Sequence, residues 1–301
     1  MRIVSLVPHA TELLFALGLG DQVVGVTHEC DHPKEAALRT HVTRDVLPEG
    51  LGPAAIDAAV RERTERGEAI YELDAAVLAR LAPDLIVTQA LCPVCAVSYD
   101  DVVAVAERLE SRPKVVSLDP KTFGETIGDV KTIAQATGAK EAALVLVART
   151  SRRVERVQAA VEDAPMPRVA CLEWLDPVFV AGHWTPQLVE MAGGEDVLGF
   201  PGEPSEQATW EMVAAAAPEV VVVMPCGYDA ATSLEQARAY ASQLASLGAR
   251  RVVAVDASSY FSRPGPRLVD GLELLAHVLH PDRVPEPPEG AEVLDVELVS
   301  A

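Results

Sequence analysis

The sequence predicts an α/β protein built as two lobes, and three observations carry that expectation. Short apolar runs with strand character alternate with helical patterns in both halves of the 301 residues. A stretch from Lys140 to Asp163, without Pro or Gly, lies between the halves. The thiols and the most reactive-looking histidines fall at or just beyond the ends of expected strands, the rim where open α/β sheets hold ligands.

In chain order, the first half reads as strands at 2–7, 23–27, 85–89 and 114–118, with helices near 11–18, 54–66, 74–81 and 99–109. Thr11 or the turn before it is expected to cap the first helix. The Lys140–Asp163 stretch, rich in Ala, Val, Leu, Glu and Arg, reads as one helix of about 36 Å at 1.5 Å per residue, a connector. The second half has strands near 168–174, 178–181, 219–224 and 252–255, with helices near 186–192, 209–216, 233–247 and 266–279. The boundaries expected are an N-terminal lobe at 1–121, a connecting helical segment at 122–166, a C-terminal lobe at 167–282 and a Pro/Glu-rich, loosely docked tail at 283–301.

A formal charge of −20 argues against a nucleic-acid partner, which calls for a basic face. There is no run of 18 apolar residues, so no membrane span is expected. Ile3–Val7 and Leu13–Leu19 resemble a short signal peptide, but Pro8, His9 and Glu12 interrupt them. Together with an odd count of five cysteines, this gives a cytoplasmic expectation for the chain as given, with a periplasmic or extracellular one if a leader was removed. Phosphate-loop, dinucleotide and Gly-x-Ser-x-Gly motifs are missing, and no pair of carboxylates reads as acid and base, so catalysis has little support.

Several constellations hold chemistry. Pro8-His9 stands in the first strand–helix turn, where free N–H groups suit a polar ligand group. His28-Glu29-Cys30-Asp31-His32 packs metal-ligand types into one loop. Cys92-Pro93-Val94-Cys95 has the spacing used for zinc chelation and for redox cycling, and Cys226 ends a later strand. Trp174, His183 and Trp184 are candidates for a stacking wall, with Glu173 as a ligand anchor or docking acid. Tyr260, Phe261, Arg263 and Arg267 suggest a lip able to hold an acid.

Leu6-Val7-Pro8-His9-Ala10-Thr11-Glu12-Leu13, Cys30-Asp31-His32-Pro33 and Ala82-Pro83-Asp84-Leu85-Ile86-Val87 follow one family order. Ala192-Gly193-Gly194, Ala217-Pro218-Glu219-Val220-Val221 and the Phe261–Arg267 segment continue it. Over about residues 2–280 the chain resembles the class III substrate-binding proteins of ABC importers, particularly the vitamin B12-binding branch. The resemblance implies two Rossmann-like lobes with parallel-type sheets, one connecting helix and a ligand cleft between the lobes. It also implies that Pro8, His28, Glu29 and Arg44 face the ligand from the first lobe, and Phe179, His183, Tyr260 and Phe261 from the second. His28-Glu29 and Thr43-Arg44 stand where the familiar B12 binders have Tyr and Trp.

The function expected is a non-catalytic, monomeric binding protein for a corrinoid such as cobalamin, or a similar small metal chelate, with an ABC permease as partner if exported. His28 or His183 is the expected metal ligand, with Trp184, Tyr260 and Phe261 against the macrocycle. One alternative is a bare zinc or iron ion held by His28, Cys30, Cys92, Cys95 and Cys226. Another is a redox enzyme acting on a chelate through Cys92 and Cys95.

Overall fold

The computed structural model describes residues 1–48, 50–66, 68–90 and 97–298. They form two compact units, one of residues 1–120 and 127–146, the other of 121–126 and 147–301.

In the first unit the elements run β1 (Ile3–Ser5), α1 (Pro8–Ala16), β2 (Val23–Val26), β3 (Thr40–His41), β4 (Thr43–Asp45), α2 (Pro53–Glu65), β5 (Tyr71–Leu73), α3 (Ala75–Leu81), β6 (Leu85–Thr88), α4 (Tyr99–Ala106) and β7 (Lys114–Ser117). The five-stranded sheet has the order β3-β2-β1-β6-β7, and every pairing in it is parallel. Strand order reverses between β1 and β6, so their carboxyl ends flank a switch point. Val4 and Ile86 of the central strands and Leu6 just beyond β1, with Leu78 and Val102 of the covering helices, form the core. β4 and β5 make a separate antiparallel pair.

Helix α1 begins at Pro8, three residues before the expected Thr11. Proline's fixed φ and missing N–H suit the first helical position, so no side-chain cap is needed. Thr11 turns inward instead, its Oγ1 2.8 Å from Ser5 Oγ and 3.1 Å from Cys30 Sγ.

Two helices follow, α5 (Phe123–Thr137) and α6 (Lys140–Val161). They are parted at Gly138, whose φ of +81° is left-handed backbone that favours glycine. The expected connector is α6, unbroken over 22 residues.

The second unit continues with β8 (Arg168–Leu175), β9 (Val178–Val180), α7 (Thr185–Met191), β10 (Glu195–Asp196), β11 (Glu206–Gln207), α8 (Trp210–Ala215), β12 (Val220–Val223), α9 (Ala230–Ala239), α10 (Ala241–Ser246), β13 (Arg251–Val255), α11 (Ala257–Tyr260), α12 (Leu268–Leu279) and β14 (Val293–Asp295). Its sheet runs β11-β9-β8-β12-β13-β14, with β10 added on β8. β10, β8, β12 and β13 pair in parallel, whereas β9, β11 and β14 pair antiparallel. The sheet is therefore mixed rather than purely parallel. The single helix expected at 233–247 is two, meeting at Tyr240. The tail is more than a loose extension, because β14 adds a strand to β13 and Arg251 pairs with Asp295 at 2.9 Å. On α6, Arg153 reaches both Asp270 and Glu273 of α12 at 2.5 Å. None of the helices is long and apolar enough to cross a membrane among the described residues.

Candidate functional site

At the rim of the first unit, β2 runs out at Thr27 and delivers His28 and Glu29. The His28 imidazole is fixed through Nδ1, 2.8 Å from Thr43 Oγ1, while its backbone N–H donates to the same hydroxyl at 3.2 Å. Tyr71 of β5 packs its ring 5.2 Å from the imidazole and donates from its hydroxyl to Glu29 Oε1 at 2.8 Å. Arg44 is largely exposed and ion-paired with Glu72 at 2.5 Å. Beside it a pocket of about 310 Å³ is lined by His41, Thr43, Arg44, Glu72 and Asp74. Cys30 is buried, its sulfur between the hydroxyls of Thr11 and Thr27. His9, expected at the ligand, is likewise buried, whereas Pro8 is partly exposed.

In the second unit the switch point lies between β8 and β12. The parallel ladder there ends with Met224 N–H on the Leu172 carbonyl and Cys226 N–H on the Glu173 carbonyl. On its other edge β8 pairs with β9 through an irregularity between Leu172 and Trp174, so Glu173 occupies a bulge. Bulges re-aim side chains and recur beside functional sites. Glu173 is half-buried, and its carboxylate accepts a hydrogen bond from Ser205 Oγ at 2.5 Å. Burial pushes its pKa from 4.5 up to about 7; the Ser205 bond opposes that rise and the Asp196 charge adds to it. Burial, with Asp196 and Glu173, also holds the Cys171 thiol well above its ordinary value.

Ser205 reaches Glu173 because Gly182 lets two loops touch. A Cβ on Gly182 would stand under 3.0 Å from the backbone of Glu203, Pro204 and Ser205. The next residue, His183, takes a left-handed φ of +52° and donates its N–H to the Glu203 carbonyl at 2.5 Å. Such backbone costs a non-glycine residue about 1–2 kcal/mol and tends to persist where function needs it. Burial first, and then the Lys121 charge, lowers the His183 pKa, which keeps the imidazole neutral at pH 7. Trp174 packs 5.6 Å from Tyr228.

Phe179, Tyr260 and Arg263 are partly exposed, as a ligand contact requires. Trp184 and Phe261 correct the expectation: they are 7% and 2% exposed, and the Trp184 indole N–H donates to the Phe261 carbonyl at 2.7 Å. These two rings support the rim from beneath and offer no open face. Cys226 is exposed. Cys92 and Cys95 lie outside the described residues. Among the described residues no three His, Cys, Asp or Glu side chains gather as a metal site, so His28, Cys30 and Cys226 do not form one by themselves.

A two-unit α/β chain with polar and aromatic groups at its sheet rims has the form of a ligand carrier. Residues 3–257 match the model of the periplasmic binding protein family, and the chain belongs to that family. Its members are substrate-binding proteins, not enzymes. The chain is 26% identical over 306 residues to the uncharacterized ABC transporter substrate-binding lipoprotein YvrC of Bacillus subtilis, covering 95% of this chain and 82% of that protein. It is 23% identical over 289 residues to the vitamin B12-binding protein of Vibrio cholerae, covering 90% and 86%. Among solved structures, the periplasmic vitamin B12-binding protein BtuF of Vibrio cholerae superposes with a TM-score of 0.67 at 21% identity, covering 92% and 96%. The periplasmic heme-binding protein BhuT, in complex with two hemes, does so at 0.66 and 23%, covering 94% and 98%. These likenesses confirm the two-lobed fold.

Proposed function

We propose that the protein captures a corrinoid, or a metal chelate closely like one, and delivers it to an ABC permease. The observation that carries this reading is the preparation of one imidazole in each unit. His28 has Nδ1 occupied by Thr43, which leaves Nε2 for a metal. His183 is kept neutral by burial and Lys121, the form in which imidazole ligates. Tyr71, Glu29 and Arg44 in the first unit, and Phe179, Tyr260 and Arg263 in the second, supply ring edges and hydrogen-bonding groups, which suits a macrocycle with a polar periphery better than a bare ion. The vitamin B12-binding relatives support the ligand class. The lipoprotein and periplasmic names of relatives favour work outside the cytoplasm over the cytoplasmic expectation.

Absorbance and calorimetric titration with hydroxocobalamin and cyanocobalamin tests the proposal. Both are expected to bind, and hydroxocobalamin, whose upper ligand exchanges, is expected to change its spectrum. His28→Ala and His183→Ala identify which imidazole causes that change. No heat and no spectral response with either corrinoid would remove the reading.

A further inference from the structure

Glu173 is a carboxyl group that the proposed function does not use. It sits at the carboxyl end of β8, at the switch point of its sheet, in a bulge that turns it out of the regular ladder. Ser205 holds Oε2, and no Lys or Arg pairs with it among the described residues. The titratable group that acts on it is Asp196 on β10, while its own charge acts on Cys171 of the same strand. Asp196 is itself engaged at Oδ1 by the N–H groups of Leu198 and Gly199. The turn after β12 brings Cys226, by its backbone, and Tyr228, through Trp174. His183, with Lys121 acting on it, lies on the turn packed against the Ser205 loop. None of these supplies a cation directly to the carboxyl.

We propose that Glu173, backed by Ser205, is a specificity determinant that selects amide-edged chelates over carboxylate-edged ones. The inference rests on the metal-chelate reading above and deepens it. A peripheral amide offers both an N–H and a C=O, so it pairs with Oε1 of Glu173 whether that group is a carboxylate or a carboxyl. A peripheral carboxylate offers acceptors alone. It pairs with the protonated carboxyl only, taking its O–H, and is repelled once Glu173 ionises. Binding of a carboxylate-edged ligand therefore requires Glu173 to hold a proton, and binding of an amide-edged ligand does not. The formal charge of −20 on the chain acts in the same direction.

The test uses cyanocobalamin and its three separated monocarboxylic acids, each with one amide hydrolysed, titrated from pH 6 to pH 9. Metal, macrocycle and size stay the same across this set. For at least one acid, affinity is expected to fall about tenfold per pH unit above pH 7, while cyanocobalamin holds level. Glu173→Gln is expected to abolish that slope. Ser205→Ala removes the bond that opposes the raised pKa, so the break should move to higher pH. Flat profiles for all three acids, or a slope that survives in Glu173→Gln, would overturn the proposal while leaving the binding function standing. Failure of every corrinoid to bind at any pH would remove the binding function and this inference with it.

Discussion

Replacing Glu173 by Gln is expected to stabilise the unliganded protein, by an amount that depends on pH. Folding moves this carboxyl from an ordinary pKa of 4.5 to about 7. An acid whose pKa rises on folding favours the folded state only while it is protonated. Below pH 4.5 both states hold the proton and burial of the charge costs nothing. Between 4.5 and about 7 the unfolded chain releases its proton first and stability declines; above about 7 both are ionised and the full penalty is in place. Each pH unit in that window is worth about 1.4 kcal/mol, so the penalty reaches about 3 kcal/mol at pH 8. Gln keeps an oxygen for Ser205 and carries no charge, so it escapes the penalty. Urea unfolding of wild type and variant at pH 4.5 and pH 8 measures the difference. The expected result is a variant about equal at pH 4.5 and more stable by up to about 3 kcal/mol at pH 8. A gain of the same size at both pH values, or a loss at pH 8, would refute the argument. Paired with the ligand titrations, the experiment asks whether a costly acid is retained for recognition.

Three further outcomes follow from the packing. Gly182→Ala puts a methyl group against the Ser205 loop backbone, so a loss of about 2 kcal/mol and a lower Tm are expected. Arg153→Met leaves Asp270 and Glu273 facing each other without their shared guanidinium, for a loss of about 2 kcal/mol in urea unfolding. Of Cys30, Cys171 and Cys226, only the exposed Cys226 should take up a maleimide in the native protein, as read by peptide mapping.

The long elements were legible in the sequence because their apolar periods are unambiguous. β12 is a continuous apolar run, β6, β8 and β13 carry apolar runs at Leu85–Val87, Val169–Leu172 and Val252–Val255, and α6 has neither Gly nor Pro along its length. The short ones were not. Thr40–His41 and Glu206–Gln207 are exposed two-residue pairings with no apolar signature, and they become strands only because a neighbour supplies a ladder. The early start of α1 is written in Pro8, because proline suits a first helical turn and Thr11 is then left free to turn inward. At the site, His28 and Glu29 followed from their place after a strand. Their partner Tyr71 lies 42 residues from Glu29, and Ser205 lies 32 from Glu173, and no local pattern joins either pair. Trp184 and Phe261 misled for a related reason. Aromatic identity near a rim does not reveal on which side of the rim the ring falls; tertiary packing decides that.

The strand β14 gives the C-terminal tail a protective task. Val253, Ala254 and Val255 of β13 meet Asp295, Leu294 and Val293 across an antiparallel ladder, and beyond β14 the sheet has no further strand among the described residues. Without the tail, β13 would become an apolar edge with open N–H and C=O groups, a template for a second chain. The tail sets acids instead at that border, at Asp295 and, just outside the strand, at Glu292 and Glu297. A chain shortened before residue 290 would keep its rim residues and still be prone to self-association, and shelf life in solution would expose the defect sooner than ligand binding would.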